Sequence, residues 1–333
     1  MNTEINNNLD EVYDSTLRPK YFREYIGQER VKQNLQIMID SALKRNDYPD
    51  HILLYGPPGL GKTTLAQIIA VEFGAPIVTT SGPAIERSGD LAAILTGLES
   101  GSILFIDEIH RIPRSVEEIL YPAMEERVID LTVGKGPGAK TLRLDIEPFV
   151  LIGATTKIGS LSSPFRDRFG SILQLEFYSH QEISQILARS ASILNIQIAK
   201  DCLLYLAERS RMTPRIANRL LKRVRDIATI NNSDKIDMNT IQESLKILDI
   251  DQNGLDTADR RFLSSIVEKF HGGPVGLKNI AAVLSEDPTN IEEVIEPFLL
   301  RSGLVKRTSQ GRVVTKKGYE LLGIKVSEDN HLL

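Results

Sequence analysis

The amino-acid sequence predicts an α/β chain in three parts: a parallel-sheet domain around a phosphate-binding loop (P-loop), a small all-helical domain, and a C-terminal winged-helix domain. Three observations carry this reading. The stretch Gly56-Pro57-Pro58-Gly59-Leu60-Gly61-Lys62-Thr63-Thr64 has phosphate-loop spacing, with a buried-strand pattern before it and a helical pattern after it. Residues 179–250 carry apolar stripes at helical spacing only. Residues 257–315 read as three short helices followed by a two-stranded hairpin.

The bulk properties set limits. A chain of 333 residues can bury two or three proper cores. A net charge of −4 gives no overall attraction to nucleic acid, so any such contact needs a local basic patch. The single cysteine, Cys202, sits in an apolar pattern and rules out an intrachain disulfide, which suits a reducing cytoplasm. The five histidines lack metal-ligand spacing. No apolar stretch reaches the ~18 residues of a membrane span. Residues 1–16 are expected to form a disordered tail, polar and acidic rather than basic-then-apolar as in a signal peptide.

The first domain is expected over residues 17–178. A Pro-stiffened segment leads into a helix from about Glu29 to Lys44, with Val31, Leu35, Met38, Ile39 and Leu43 at helical spacing. Strand Ile52–Tyr55 then enters the phosphate loop. Gly59 and Gly61 are needed where a Cβ would block backbone N–H groups from phosphate oxygens. The following helix adds its positive dipole end. Lys62 would reach the outer phosphates as a point charge, and Thr63 would place its hydroxyl on Mg²⁺. A strand at Ile77–Thr80 and a helix from Asp90, with Asp90 as its cap, come next.

Forty-five positions after Lys62, the run Ser102-Ile103-Leu104-Phe105-Ile106 ends in Asp107-Glu108. A buried strand ending in two carboxylates meets the ligand crevice of a parallel sheet. Asp107 would hold the Mg²⁺ shell, and Glu108 would polarise the attacking water. Residues 128–149 read as a β-hairpin that projects, with Leu131, Val133, Leu142 and Leu144 as an exposed apolar patch suited to a partner; packing on its own domain is the alternative. Strand Phe149–Thr155 ends in the hydroxyls of Thr155 and Thr156. Arg166 and Arg168, beside Asp167, form either a solvated ion-pair cluster or a source of charge for the transferring phosphoryl group.

The all-helical domain is expected over 179–250. Thr213-Pro214-Arg215 opens a helix as cap, first-turn proline and basic residue. Arg215 lies at the wrong end for the helix dipole, which suggests the nucleotide as its partner. A polar linker at 249–256 separates this domain from the winged helix at 251–333. Between Arg301 and Tyr319 there are six basic residues and no acidic ones, the footprint of a DNA-contacting wing or a solvated basic surface.

Together these stretches resemble the RuvB family of AAA+ ATPases, the bacterial Holliday-junction branch-migration motors. The resemblance runs from about Leu17 to Leu322. It is carried by LRPKYFREYIGQ (17–28), LLYGPPGLGKTTLA (53–66), LFIDEIHR (104–111), LYPAME (120–125), GKGPGAK (134–140), GATT (153–156), SPFRDRFG (163–170), LEFY (175–178), TPRIANRLLKRVRD (213–226), GGPVGL (272–277), IEPFLL (295–300) and KRTSQGRVVT (306–315). It implies a large ATPase domain, a helical lid and a winged-helix head, assembled as a homohexameric ring on duplex DNA with ATP between neighbouring subunits. By the same resemblance, Leu17, Arg18 and Tyr178 line the nucleotide pocket. Lys62, Thr63 and Thr64 bind phosphates and Mg²⁺, and Asp107 and Glu108 form the second acidic motif. Thr156 is the first sensor, Arg168 the finger entering the neighbour's site, and Arg215 the second sensor. Arg307 and Arg312 touch DNA. The 131–144 hairpin docks on RuvA, and the RuvC resolvase is a further partner. The implied activity is ATP hydrolysis coupled to branch migration in recombination and repair.

Three positions depart from the family pattern. Lys157 stands for a usual Arg, Phe165 for a usual Leu, and Met212 for a usual Gly. None removes a charge or a catalytic oxygen. The alternative reading is a clamp-loader-like or protein-remodelling AAA+ ATPase, and a third is a nucleotide-switched DNA regulator. The basic wing argues against a pure remodeller, and Glu108 argues against a switch without turnover.

Overall fold

The order of strands in the large sheet is not the order in the sequence. In the computed structural model, which describes residues 16–133, 140–233 and 235–324, the chain divides after Tyr178 into two compact units. The first holds a five-stranded, all-parallel sheet ordered β2-β3-β6-β1-β7, where β1 is Ile52–Tyr55, β2 Ile77–Ser81, β3 Ser102–Asp107, β6 Phe149–Thr155 and β7 Ser171–Gln174. All of β6 is buried, and β3 is buried up to Asp107. Both are continuous apolar runs because helices cover the two faces of a parallel sheet.

Helix α1 (Glu29–Arg45) buries Val31, Leu35, Ile39 and Ala42 in one stripe. Helix α2 (Lys62–Phe73) starts directly after Gly61, whose φ is 101°, and stops at Gly74, whose φ is 73°. Helix α3 (Ser88–Thr96) corrects the expected start. Asp90 is its third residue, and its Oδ2 accepts the N–H of Arg87 at 2.8 Å, so the carboxylate caps from inside the first turn. Helix α4 (Arg114–Glu125) precedes the hairpin of β4 (Val128–Val133) and β5 (Lys140–Asp145), and α5 (Ser163–Arg166) precedes β7.

The hairpin register pairs Ile129 with Leu144 and Leu131 with Leu142, so these four side chains share one face. Ile129 is fully buried, and Leu131 and Leu144 pack against the domain core. Leu142 is the exposed member, at 48%. The expected patch is therefore covered at its root and open further out. Its turn, 134–139, lies outside the described residues, as does the tail at 1–15.

The second unit begins with α6 (His180–Ile193), capped by Ser179, whose Oγ accepts the N–H of Glu182 at 3.2 Å. Helices α7 (Lys200–Glu208), α8 (Pro214–Ile230) and α9 (Met238–Ile247) follow, with a two-residue parallel pairing of β8 (Gln197–Ile198) and β9 (Lys235–Ile236). Cys202 is buried. Then come α10 (Thr257–Phe270) and α11 (Leu277–Leu284). The single helix expected at 289–302 contains a π turn at Ile291–Ile295 before α12 (Glu296–Arg301). Strands β10 (Val305–Thr308) and β11 (Gly311–Val314) form the wing, and α13 (Lys316–Leu321) closes it. Phe262, Leu263, Ile266, Ile280, Leu299 and Val314 belong to one core beneath the wing.

Candidate nucleotide site and nucleic-acid interface

The phosphate loop sits at the C-terminal end of β1, and its backbone needs its glycines. Gly56, Gly59 and Gly61 all have positive φ. A Cβ on Gly61 would come 2.7 Å from the Tyr25 hydroxyl, and one on Gly56 would come 2.5 Å from the Leu175 carbonyl. Behind the loop, the Tyr178 hydroxyl lies 2.9 Å from that of Tyr25 and 3.1 Å from the Leu60 carbonyl. Both tyrosines are buried, and burial drives the Tyr25 phenol well above its usual pKa, with Tyr178 beside it adding to the shift. Tyr178 thus braces the loop from beneath. Tyr25 was not singled out from the sequence; only its place beside the Pro19 segment could have drawn notice. Leu17 is buried and Arg18 half-buried.

Lys62 lies across the loop, its Nζ donating to the carbonyls of Gly56 (2.7 Å) and Pro57 (3.0 Å). Thr63 and Asp107 meet although 44 residues separate them: the Thr63 hydroxyl donates to Asp107 Oδ2 at 3.1 Å. Asp107 Oδ1 accepts the Glu108 N–H at 2.9 Å, so both carboxylate oxygens are oriented. Thr64 follows half-buried on α2.

Strand β6 lies between β3 and β1, which brings Thr155 and Thr156 between the acidic pair and the phosphate loop. The Thr156 hydroxyl donates to Glu108 Oε2 at 3.2 Å. Glu108 has φ 47° and ψ 45°, a left-handed backbone for a side chain that rarely adopts it, costing about 1–2 kcal/mol. Such strain is held only where the surroundings over-determine it, and it clusters at functional sites. Next to it, His110 Nδ1 lies 2.9 Å from Thr155 Oγ1 and 3.2 Å from Glu108 Oε2, the second contact an ion pair only when the ring is protonated. The Lys157 N–H also donates to Thr155 Oγ1, at 2.9 Å. His110 is a member of this cluster that spacing alone gave no reason to choose.

The donor set fits a nucleoside triphosphate with Mg²⁺: hydroxyl and carboxylate oxygens beside a lysine, on a glycine loop ahead of a helix N-terminus.

Arg168 is engaged within its own domain. Its Nη1 donates to the Pro164 carbonyl at 2.6 Å, its Nε lies 3.1 Å from Glu125 Oε1, and its guanidinium stands 4.3 Å over the Tyr121 ring. Phe165 is fully buried, edge-on to Phe169 at 5.2 Å and beside Tyr121, so the departure from Leu is absorbed by an aromatic cluster. In the second unit, Arg215 is exposed in the first turn of α8 and makes no ion pair among the described residues. The Thr213 hydroxyl donates back to Ser210 O at 3.3 Å instead of capping that turn.

The wing is less basic in space than in sequence. Arg307 and Arg312 are direct cross-strand partners, on the same pleat face as buried Val305 and Val314. That face meets α12, where Glu296 is fully buried. Arg312 grips it with Nε at 2.9 Å and Nη2 at 3.1 Å, and Arg307 Nη2 reaches it at 2.5 Å. Burial works to raise the Glu296 carboxyl pKa, but the two guanidiniums outweigh it and hold it below its usual range. Arg312 is 12% exposed and Arg307 47%. Lys306, Lys316 and Lys317 are exposed.

A P-loop with an oriented Asp-Glu pair, a helical domain and a winged helix define a nucleotide-hydrolysing machine of the AAA class. Family models match in sequence along the chain: the Holliday junction DNA helicase RuvB P-loop domain over 17–175, the RuvB AAA lid domain over 178–251, and the RuvB C-terminal winged helix domain over 252–323. Among solved structures, the Thermotoga maritima RuvB Holliday junction branch migration motor is similar at a TM-score of 0.87 and 47% identity, over 94% of this chain and 100% of that one. A mutant of that Thermotoga RuvB is similar at 0.88 and 48%, over 93% and 99%. The chain belongs to the RuvB family, and it is an ATP-driven Holliday junction branch-migration motor.

Proposed function

We propose that the protein works as a homohexameric ring around duplex DNA, docks on RuvA through the 131–144 hairpin, and draws DNA through the junction as each subunit hydrolyses ATP. The observation that carries this is the convergence of Thr63 with Asp107 and of Thr156 with Glu108 at one end of the sheet.

In this reading the loop around Gly59 and Gly61, with Lys62, Thr63 and Thr64, binds the phosphates, and Leu17, Arg18 and Tyr178 border the nucleotide pocket. Thr63 and Asp107 would hold Mg²⁺, which when bound neutralises charge on the outer phosphates. Glu108 polarises the attacking water, and Thr156 fixes the carboxylate that does so. Arg168 leaves Glu125 to reach the adjoining subunit's nucleotide, and Arg215 senses nucleotide from the lid. Arg307 and Arg312 grip phosphates with little sequence preference, alongside the exposed wing lysines. RuvC acts as a further partner, and the motor works in the cytoplasm. No helix among the described residues is long and apolar enough to cross a membrane.

The test is dissociation of a labelled four-way junction by the protein with ATP and Mg²⁺, with and without RuvA, beside Lys62→Ala. Dissociation that needs ATP, is stimulated by RuvA and is lost in the variant is the expected result. Intact ATP hydrolysis with no dissociation would move the function to a clamp-loader-like or remodelling ATPase.

A further inference from the structure

Among the described residues, Arg211 and Met212 are the one place where two consecutive non-glycine residues hold a left-handed backbone, with φ 54° and 57°. They join α7 to α8, directly ahead of Thr213 and Arg215. Glycine is the natural residue for such φ values, so an Arg-Met pair persists there only if its side chains are anchored. Both are anchored in the winged-helix domain. Arg211 is 10% exposed and forms ion pairs with Asp256 and Asp259, the carboxylates that cap α10, the second at 2.6 Å. Its guanidinium also faces the Phe298 ring at 5.5 Å. Met212 packs against the wing-bearing core.

A second attachment lies alongside. Arg260 on α10 donates to the Asp249 carbonyl at 2.9 Å and pairs with its carboxylate at 2.5 Å. Gly254 abuts Arg209 closely enough that a Cβ would come 3.0 Å from the Arg209 Cα. The polar linker is thus stapled at both ends. A helix that carries Arg215 in its first turn cannot rotate here without carrying α10 with it.

We propose that Arg211 and Met212 form the joint that passes movement of the Arg215 helix to the winged-helix domain, with the guanidinium seated between Asp256 and Asp259 and the thioether in the apolar core. They are positioning residues that touch neither nucleotide nor DNA. The proposal rests on the reading of Arg215 as a nucleotide sensor. The departure from Gly at Met212 then makes this chain's joint stiffer than a glycine joint would be.

The experiment measures DNA-free ATP hydrolysis and junction dissociation on the same preparations of full-length wild type, Lys62→Ala, Arg211→Ala, Arg211→Lys and Met212→Gly. Arg211→Ala is expected to keep ATP hydrolysis within about twofold while junction dissociation falls about tenfold. Arg211→Lys should recover part of the loss. Met212→Gly keeps a backbone conformation that glycine adopts readily, and it should lose about threefold in dissociation at unchanged hydrolysis. A parallel fall in both activities, or no fall in either, overturns the proposal. Arg215→Ala, measured alongside, separates the two failures: unchanged ATP hydrolysis in Arg215→Ala refutes the sensor reading, whereas failure of the joint shows only in the Arg211 and Met212 variants, read against a wild type that dissociates junctions.

Discussion

Arg312→Ala tests the wing more sharply than its sequence suggests, because the same side chain is proposed to touch DNA and is seen to neutralise a buried acid. Removing one partner of a buried ion pair costs about 3–5 kcal/mol. Here Glu296 keeps Arg307, so the cost drops to about 2–3 kcal/mol. The unit from 179 to 333 has 155 residues. For that size each kcal/mol shifts Tm by about 2–4 °C, giving a fall of about 5–10 °C. Arg307→Ala makes the control. Arg307 is 47% exposed, so solvent screens it, and the loss is about 0.5–1 kcal/mol, or about 2 °C. Both variants should weaken duplex binding about equally for unrelated sequences, with the salt slope reduced by about 1. Differential scanning calorimetry and duplex binding over a salt series read both effects. Equal Tm values for the two variants would refute the clamp. A strongly sequence-dependent binding loss would refute phosphate gripping.

Three other outcomes are expected. Arg168→Ala should bind ATP without turning it over, and mixing it with Glu108→Gln subunits should restore part of the turnover; mixed rings with no rescue would confine Arg168 to its own subunit. In Gly82→Ala the new Cβ would lie 2.3 Å from the Glu108 carbonyl. It should push that strained residue aside and cost about 10²-fold in steady-state ATP hydrolysis, and wild-type turnover would show that Glu108 need not hold its place. The two units should respond oppositely to pH. Burial lowers the pKa of His51, so the unfolded chain takes up the extra proton and the first unit loses stability as pH falls through about 6.5. Burial pushes Asp259 up to about 7, so between about pH 4 and 7 the folded second unit holds the extra proton and gains stability as pH falls. Calorimetry of His51→Gln and Asp259→Asn should flatten the respective trends, and unchanged slopes would contradict both assignments.

The nucleotide site was largely legible in the sequence because its parts are local. A glycine loop, a lysine and a threonine must be contiguous to wrap a phosphate, and two carboxylates at the end of an apolar run declare a strand end. Less legible was what pairing across the chain decides. That Thr156 meets Glu108 follows from β6 lying between β1 and β3, which no spacing records. Counting charges from 301 to 319 left out Glu296, which lies just outside that window and toward which the pleat turns both arginines. The same pleat placed Leu131 and Leu144 against the domain, where alternation alone said only that they share a face. Asp90 shows the limit of reading caps from residue type, because a carboxylate serves a helix start from the third position as readily as from the cap itself.

Strand β1 emerges early, but its neighbours do not. Ile52 pairs with Ile152 on one side and Ser171 on the other, a hundred residues later or more. Closing such long loops must precede the reward of pairing, which makes parallel sheets slow to form. The pairing of β1 on both sides therefore waits for residues as late as Gln174. A nascent chain that stops at Phe169 carries every residue of the glycine loop and still lacks the strand that pairs with the outer side of β1.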